Sequence, residues 1–448
     1  MLNYNHHYTF TFENQKALDK FRLQALHWCE NFEYIANFDS NYTTQYKDST
    51  YHWLLGIGAK SKAYLEDLNT LEAYLQAKEA RETWHFLALS YELKNTILPS
   101  KIYSKNPDKH QLPNITIFQP QYLILSYKEH PLILHIFSFE KGSSALDIFN
   151  IIQGSTQLNT NLFQPQANVV VQAACEKATY LQDIKAIQNH IIDGDVYEVN
   201  YCQEFSIQDY TIAHPIALYE QLNAIAQTPF AVYFRAQDWH LCCASPERYI
   251  SYKEHTLRSQ PIKGTAPRHA NTQEDLALAQ SLQNSIKDRA ENLMIVDLVR
   301  NDLARICEVG SVEVEELCAL YDFPSVWQLV SSVIGKYPQQ NNPNQTIIEV
   351  LKASFPMGSM TGAPKIAALE IIDNFEKNCR GWYSGSIGYI DNKGNFDLNV
   401  VIRSIFYNAQ RKYISWQVGG AIVFDSVAEA EYEECETKMR LIKRVLSI

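Results

Sequence analysis

The segment GSIGYIDNKGNFDLNVVIRSIFYNAQRKYISWQVGG, residues 385–420, contains three strand candidates in quick succession. They are Gly385–Ile390, Asn399–Arg403 and Tyr413–Gln417, and each is rich in β-branched or aromatic residues. A fourth candidate, Phe230–Phe234, lies upstream. Because strands and helices alternate without a regular βαβ rhythm, the sequence predicts an α+β or layered α/β fold with antiparallel sheet.

Helical periodicity appears in three places. Apolar residues between Tyr180 and Ile191 recur at the spacing of one helix face, and Asp193-Gly194-Asp195 then ends the pattern. A second helix is expected from about Gln273 to Ile306, with room for an interruption, and a third from Ala428 to the C-terminus. Residues 337–346 are predicted to form an exposed loop.

The N-terminal part of the chain differs from the rest in its sequence pattern. Alternating runs at Tyr122–Tyr127 and Leu132–Phe137 predict paired strands joined by a turn, whereas recognisable chemistry is scarce before residue 165. The composition changes near Ala173. We therefore divide the chain into an N-terminal β-rich region, residues 1–170, and a second region, residues 171–448, which contains the candidate functional residues described below.

Composition excludes several classes of function. The 448 residues include 39 Lys and Arg against 50 Asp and Glu, a net charge of −11, so a general basic surface for nucleic acid or anionic lipid is absent. We expect no export signal and no membrane span, because no basic leader or long apolar stretch occurs. The nine cysteines are odd in number and lack CxxC spacing, which predicts free thiols in the cytoplasm.

Two pairs of acidic residues have the spacing of one helix face. Asp288 and Glu291 are separated by three positions, as are Glu431 and Glu434. Like charges held close repel, and Mg²⁺ relieves that repulsion while taking only one or two carboxylates. The alternative is an ordinary solvated first turn, where acidic residues are favoured by the helix dipole.

Lys263 lies in the proline-bracketed segment 261–268, next to Gly264. A rigid turn would hold its ammonium in place, as an electrostatic clamp or as a nucleophile if desolvation lowers its pKa. Glu247 follows a strand-like run and is a candidate acid or base near that lysine. A surface ion pair with Arg248 is the simpler interpretation of this glutamate.

Glycines mark two further places where a ligand could approach the backbone. The turn Phe355–Lys365 leads into a helical run and lacks nucleotide-binding spacing, but free N–H groups at a helix start suit a carboxylate. Gly419 and Gly420 follow the strand ending at Gln417. No cysteine occupies a G-x-C-x-G elbow, so we do not expect the chain to release ammonia from glutamine by itself.

Five ordered blocks resemble the motifs of the chorismate-binding enzymes, the group that includes anthranilate synthase component I, isochorismate and salicylate synthases, and aminodeoxychorismate synthase component I. The blocks are Gly194–Asn200, Pro261–Thr265, Lys287–Asp302, Phe355–Lys365, and Gly419–Ser426 with Glu431–Glu434. The resemblance covers residues ~175 to 448. It implies an anthranilate-synthase-component-I-like fold, with two large, mainly antiparallel sheets packed face to face and helices outside.

Within this group, Lys263 and Asn292 resemble the aminodeoxychorismate-forming branch, as does Phe86–Lys94. The resemblance implies a transferase that aminates chorismate to 4-amino-4-deoxychorismate in folate and para-aminobenzoate biosynthesis. In this chemistry Lys263 attacks C2 as the C4 hydroxyl leaves, and ammonia then adds at C4 and expels the lysine. Glu247 matches the acid/base. The ammonia would come from glutamine through a separate glutaminase subunit.

The resemblance also assigns binding roles. Glu291 and Glu434 match Mg²⁺ ligands, with Asp288 and Glu431 beside them. The positions that match residues holding the pyruvyl carboxylate are Tyr383, Arg403 and Lys438. The positions that match backbone and hydroxyl contacts with substrate are Gly264, Thr265, Gly419 and Gly420. By analogy, residues 1–170 would dock the glutaminase and contain a regulatory pocket.

Three positions depart from the pattern of many relatives, namely Gln328, Ala266 and Ala421. None removes Lys263 or the expected metal ligands, but together they alter proton handling and pocket shape. The alternatives are an anthranilate synthase component I of tryptophan biosynthesis, an isochorismate- or salicylate-forming enzyme, and a catalytically silent subunit that only docks the glutaminase.

Overall fold

The computed structural model describes residues 6–43, 45–46, 49–80, 82–98, 106–140, 142–155, 163–324, 326–339 and 343–448. The strands are β1 His6–Thr11, β2 Tyr34–Asp39, β3 Tyr51–Ile57, β4 Ser61–Leu65, β5 His85–Leu89, β6 Ile115–Gln119, β7 Tyr122–Tyr127, β8 His130–Ser138, β9 Gln172–Ala173, β10 Glu198–Ile207, β11 Phe230–Ala236, β12 Trp239–Ser245, β13 Arg248–Lys253, β14 Thr256–Gln260, β15 Ile262–Pro267, β16 Glu313–Asp322, β17 Val326–Lys336, β18 Gly362–Ala363, β19 Ser386–Ile390, β20 Phe396–Val400, β21 Ser404–Asn408 and β22 Tyr413–Ile422. The helices are α1 Gln15–Cys29, α2 Leu68–Gln76, α3 Lys94–Ile97, α4 Ala145–Gly154, α5 Lys177–Ile192, α6 Pro215–Ala226, α7 Thr272–Asn284, α8 Ile286–Ala304, α9 Pro343–Ser354, α10 Lys365–Phe375 and α11 Ala428–Leu446.

The strands form two large antiparallel sheets. The first sheet has the order β1-β8-β7-β3-β2-β11-β12-β21-β22-β10-β18, with β9 added to β10. The second has the order β15-β17-β14-β13-β20-β19-β5-β6-β4, with β16 added to β17. The predicted α+β class with antiparallel sheet is therefore confirmed.

The two sheets pack face to face, and the alternation along β11 shows why. Val232 and Phe234 belong to the apolar core between the sheets, whereas Ala231 and Tyr233 belong to the core on the opposite face. Successive side chains of a strand point to opposite faces, so one strand supplies both cores. Phe234 meets Trp382 edge to face at 5.6 Å between ring centroids.

Helices cover the outer face of the first sheet, as expected. Tyr180, Ile184 and Ile187 of α5 are buried there, and Asp193 follows the last helical residue. The long helix predicted from about Gln273 is two helices, α7 and α8, which break at Ser285 because its hydroxyl caps the next helix by accepting from the Asp288 backbone N–H.

Three boundaries differ from the sequence prediction. The strand predicted over Asn399–Arg403 ends at Val400, because the chain leaves the second sheet there and Arg403, with φ of 53°, turns it into β21 of the first. Gly419 and Gly420 lie inside β22 rather than after it. The loop predicted over 337–346 is exposed only in part, because Tyr337 packs into the core and α9 has already begun before the buried Thr346; residues 340–342 lie outside the described chain.

Both sheets contain strands from either side of residue 170. In the first sheet β2 pairs with β11, and in the second β5 pairs with β19. The division at residue 170 thus marks a change in composition, while its functional meaning stays a prediction. Within the described ranges, no helix is long and apolar enough to cross a membrane.

A buried arginine joins the sheet that carries the site to the segment after α10. Arg380 donates to both carboxylate oxygens of Glu376, at 2.6 and 3.0 Å, and to the backbone oxygens of Asn200 and Met360, at 2.8 and 2.7 Å. Its guanidinium lies 4.4 Å from the ring centroid of Tyr91. This one side chain therefore fixes β10 relative to residues 358–380.

We predict that Arg380→Met lowers the free energy of unfolding by about 3–5 kcal/mol, because Glu376 would remain buried without its counter-charge. Urea unfolding followed by fluorescence measures the change. Arg440→Met, at an exposed position of α11, is the matched control and should stay within about 0.5 kcal/mol of wild type. Equal stability of the Arg380 variant and the control would contradict the prediction.

Candidate active site

Lys263 projects from an irregular place in β15. The pairing with β17 shifts by one residue between Ile262, opposite Val330, and Thr265, opposite Gln328. Gly264 occupies this bulge with φ of +89°, a conformation that favours glycine. Bulges turn side chains away from the regular sheet direction. The Lys263 side chain is consequently almost buried, at 9% exposure.

The lysine meets a glutamate from the other sheet. Its Nζ donates to Oε1 of Glu198 at 2.7 Å, and Glu198 is fully buried. Glu198 begins β10, where it pairs with Ala363 of β18. An edge strand of the second sheet and a strand near the edge of the first thus converge at one ion pair.

Acidic neighbours decide the protonation of Lys263. Burial alone would lower its pKa, but Glu198, Glu291 and Glu247 outweigh burial, and the net pKa lies above the usual lysine value. The sequence-based condition for a nucleophile, a pKa lowered by desolvation, is therefore not met while all three carboxylates are charged. The amine becomes reactive only after it loses a proton.

Glu247 is buried beside this lysine, at 4% exposure. Burial raises its pKa to about 7, although hydrogen bonds from Ser359 and the Ile262 backbone N–H and the charge of Lys263 pull it down. The simpler interpretation, a surface pair with Arg248, is wrong, because Arg248 is buried against Asp397 at 2.8 Å. A carboxyl group that titrates near neutrality suits acid–base catalysis.

The two predicted carboxylate pairs lie in the first two turns of α8 and α11, each near a glycine. A methyl group added at Gly264 would lie 3.0 Å from Asp288 Cβ, and one added at Gly420 would lie 3.3 Å from Glu431 Oε2 and 3.5 Å from Glu434 Oε1. The absence of a side chain at these two glycines therefore lets the backbone approach the acidic residues closely.

The carboxylates differ in electrostatic state. Burial raises the pKa of Glu291 to about 7, opposed mainly by Lys263. For Glu434 burial acts in the same direction, but Lys438, 2.7 Å away, outweighs it together with Lys287 and Lys263, so the pKa falls. Glu431 is buried and accepts from the Ser426 hydroxyl at 2.7 Å. Lys287 acts on all three glutamates, which places α8 and α11 near each other.

This donor set fits a hard divalent cation. Mg²⁺ takes one or two carboxylates and fills its shell with water and substrate oxygens. Across the described ranges, no three His, Cys, Asp or Glu side chains lie close enough together to form a metal site by themselves. The metal site therefore stays a proposal that depends on the carboxylates near the starts of α8 and α11.

Three side chains were predicted to bind one carboxylate. The Arg403 guanidinium makes no hydrogen bond or ion pair with any described residue, although Glu247 acts on it electrostatically. Tyr383 is buried, and its hydroxyl accepts from the Cys202 thiol at 3.8 Å. Lys438 donates to the Gly419 carbonyl at 2.6 Å as well as pairing with Glu434. Arg403 is therefore available to bind an anion, whereas Tyr383 and Lys438 already have hydrogen-bond partners within the protein.

The remaining predicted contact residues also lie in this region. The Thr265 hydroxyl accepts a hydrogen bond from Gln328 Nε2 at 3.3 Å. Gln328, one of the three residues that depart from the family pattern, therefore contacts Thr265, a predicted substrate-binding residue. Gly419 packs so tightly that an added methyl would lie 2.3 Å from the Tyr201 carbonyl. The missing side chain therefore lets β22 pair closely with β10, and the backbone contact of Gly419 with substrate stays a prediction.

Two site residues were missed by the sequence reasoning. Glu198 lies inside a recognised block, but nothing in the sequence indicates that it pairs with a lysine 65 positions away. Ser359 lies in the glycine-bearing turn, where we expected backbone N–H groups to bind a carboxylate, and its side chain lies near Glu247 and lowers the pKa of that group. Both contacts arise because the two sheets meet, which no local pattern encodes.

Together these residues form an acidic region with one buried amine, two carboxyl groups with a pKa of about 7, on Glu247 and Glu291, and one guanidinium without a partner among the described residues. The amine can act as a nucleophile after deprotonation, Glu247 can exchange a proton, and the guanidinium can bind a carboxylate. A small anionic substrate that is coordinated partly through a cation matches this arrangement.

Comparisons with known proteins identify the family of the chain. The model of the family described as chorismate binding enzyme matches residues 19–444. The chain is 39% identical to aminodeoxychorismate synthase component 1 of Escherichia coli over 64% of its own length and 63% of the relative, and 36% identical to that of Bacillus subtilis over 60% and 56%. It is 33% identical to anthranilate synthase component 1 of Pseudomonas putida over 77% and 71%. The chain thus spans less than two thirds of the aminodeoxychorismate synthases named here.

Solved structures share the fold. Anthranilate synthase component I from Streptococcus pneumoniae superposes with a TM-score of 0.74 at 23% identity, covering 89% of this chain and 95% of the other. The menaquinone-specific isochorismate synthase from Escherichia coli gives 0.74 at 16% identity, covering 98% and 94%. The expected anthranilate-synthase-component-I-like architecture is confirmed. With a family match that spans nearly the whole chain, this protein belongs to the chorismate binding enzymes.

Proposed function

We propose that this enzyme aminates chorismate with ammonia to 4-amino-4-deoxychorismate, the step that leads to para-aminobenzoate and folate. The observation that carries the proposal is the buried amine of Lys263 near the buried carboxyl group of Glu247, whose pKa both Lys263 and the backbone N–H of the preceding Ile262 lower. The similarity to aminodeoxychorismate synthases supports the substrate and product. An amine in this position supplies a nucleophile that a purely binding site would not need.

The reaction divides one displacement into two. The neutral Lys263 amine bonds to C2 of the ring while the C4 hydroxyl leaves, and Glu247 supplies the proton that converts this hydroxyl to water. Ammonia then adds at C4, the C2–nitrogen bond breaks, and Lys263 leaves as an amine. Glu247, now a carboxylate, accepts the proton that the new C4 amino group releases.

Substrate binding would use charges of both signs. We propose that Glu291 and Glu434, with Asp288 and Glu431 beside them, hold Mg²⁺, which when bound neutralises a substrate carboxylate. Arg403 would grip the pyruvyl carboxylate, supported by its lack of a partner among described residues, with Tyr383 and Lys438 beside it. Gly264, Thr265, Gly419 and Gly420 would contact the ligand through backbone and hydroxyl groups.

Ammonia would come from a separate glutaminase subunit. The chain lacks the cysteine elbow of such an enzyme, and residues 1–170 are the region we propose for docking it and for a regulatory pocket. A cytoplasmic location completes the proposal, supported by nine cysteines that are all free.

Product analysis tests the function. Purified protein is incubated with chorismate, ammonium chloride and Mg²⁺, and products are separated by chromatography with mass detection. We expect 4-amino-4-deoxychorismate. Fluorescent anthranilate as the product would instead assign anthranilate synthesis, isochorismate or salicylate would assign addition of water, and unchanged chorismate would indicate a silent docking subunit.

Replacement of the nucleophile gives the first prediction for this function. Lys263→Ala should lower the rate of amination by at least about 100-fold, because the covalent route loses its attacking atom. Chorismate consumption measures the rate. Lys109→Ala is the control, since Lys109 also pairs with a buried glutamate of β10, Glu204 at 2.9 Å, and should retain wild-type activity. Full activity of the Lys263 variant would refute the covalent route.

The pH profile follows from the protonation states. The reactive form carries a proton on Glu247 and none on Lys263, whose pKa is raised. Below pH about 7 the glutamate is protonated, so the rate should rise tenfold per pH unit as free amine increases; above it, loss of the Glu247 proton offsets this gain and the rate should level off.

Stopped-flow measurements at saturating Mg²⁺ give this profile. Glu247→Gln should lower the rate by about 10²- to 10⁴-fold and remove the change of slope near neutrality. A wild-type rate that continues to climb tenfold per unit beyond about pH 8 would show that the acid is a different group.

The metal proposal predicts a selective loss. Glu434→Ala should weaken Mg²⁺ binding by roughly tenfold or more, because a site with one or two protein carboxylates loses one of them. Isothermal titration with MgCl₂ measures the affinity without turnover. Glu433→Ala, an exposed neighbour on the same helix, is the control and should bind as wild type does. Equal Mg²⁺ affinity in both variants would exclude Glu434 as a ligand.

A further inference from the structure

The ion pair between Lys263 and Glu198 has an unusual feature. Oε1 of Glu198 accepts from the lysine Nζ at 2.7 Å, whereas Oε2 is buried and has no hydrogen-bond partner among the described residues. Burying both charges costs free energy that an apolar pair of the same size would avoid. A second oxygen left unsatisfied adds to that cost. A gain in folding stability therefore does not explain why this ion pair is buried.

Two other glutamates of the chain are bonded more completely. Both oxygens of the buried Glu376 accept from Arg380, and one also accepts from the Cys202 backbone N–H. Both oxygens of the half-buried Glu92 accept as well, from the Arg380 and Gly381 backbone N–H groups and from the Ser90 hydroxyl. These two carboxylates accept hydrogen bonds from the backbone, whereas the Glu198 carboxylate accepts, among the described residues, only from the amine of Lys263.

The two partners differ in rigidity. Glu198 rises from a strand held on both sides, since β10 pairs with β18 through Ala363 and with β22 through Val199 and Ile422. Lys263 is a long side chain on a bulge, and holding such a side chain in one rotamer costs about 2 kcal/mol of conformational entropy. The fixed carboxylate supplies the contact that selects one rotamer of the lysine.

We propose that Glu198 is the positioning residue of Lys263: its hydrogen bond holds the ε-amine in the orientation from which it attacks the ring. This inference rests on the proposed function. A carboxylate oxygen accepts from an ammonium and from a neutral amine alike, so the contact persists when Lys263 loses its proton. Misplacement of a reacting atom by about 1 Å can reduce a rate roughly 100-fold. A hydrogen bond that fixes the position of the Lys263 amine can therefore affect the rate strongly.

Other charges also face the amine. Glu291 from α8, Glu247 from the turn before β13 and Glu434 from α11 act on Lys263 electrostatically. Within the described chain, only Glu198 forms an ion pair with it at hydrogen-bond distance. Removal of Glu198 should therefore change the position of the amine, while the other carboxylates still surround it.

Two variants separate position from charge. Glu198→Ala removes the acceptor, and Glu198→Gln keeps an oxygen that can accept from Nζ but removes the charge. We expect the rate of adduct formation on Lys263 to fall roughly 10- to 100-fold in Glu198→Ala. Rapid quenching and mass spectrometry measure this rate. The KM for chorismate should change less than about twofold, because Glu198 is not assigned to substrate.

The glutamine variant should rescue the rate to within about threefold of wild type, since the acceptor is retained. Glu204→Gln, which alters the other buried glutamate–lysine pair of β10, is the matched control and should leave the rate unchanged. Wild-type rates in Glu198→Ala would overturn the proposal. Equal losses in the alanine and glutamine variants would also overturn it, because charge rather than position would then be decisive.

A second measurement does not depend on turnover. Acetylation of Lys263 by acetic anhydride, relative to the exposed Lys185, reports how readily the amine loses its proton. Both Glu198 variants should be acetylated from a lower pH than wild type, because the ammonium loses its nearest counter-charge. An unchanged onset would overturn the pairing. A shifted onset in a protein that makes no amino product would instead contradict the proposed function.

Discussion

The site depends on the buried ion pair between Lys263 and Glu198, at which the two sheets meet. The bulge in β15 turns Lys263 out of the second sheet, and β10 of the first sheet presents Glu198 to it at 2.7 Å. Neither sheet contains a complete site. The face-to-face packing of the sheets, and the Arg380 cluster that fixes β10, therefore matter for chemistry as well as for stability.

In the proposed function, charge explains how an acidic protein would take an anionic substrate. Glu198, Glu247, Glu291 and Glu434 surround one lysine, so without a cation they would repel a dianion. A divalent ion held by the proposed carboxylates would reverse the local field, and Arg403 would supply a second positive group. The neighbouring carboxylates raise the pKa of Lys263, so they would also restrain the proposed nucleophile until its proton is removed.

Much of the fold could be predicted because it follows local patterns. The period of Tyr180, Ile184 and Ile187 identified α5, and the β-branched and aromatic residues of Phe230–Phe234 identified β11. Boundaries failed where tertiary contacts decide, as at Arg403, where a residue with left-handed φ moves the chain from one sheet to the other. The roles of the motif residues stay predictions, whereas Glu198 and Ser359 have partners 65 and 112 positions away in sequence, a separation that hides them from any local pattern.

Detection of the covalent state tests the chemistry most directly. Wild-type protein is mixed with chorismate and Mg²⁺ in the absence of ammonia, quenched with acid and analysed by intact-protein mass spectrometry and peptide mapping. We expect a species heavier by chorismate less one water, carried on Lys263, that disappears when ammonia is added. Amination at the normal rate with no adduct on Lys263 at any time would contradict a nucleophilic role for this amine.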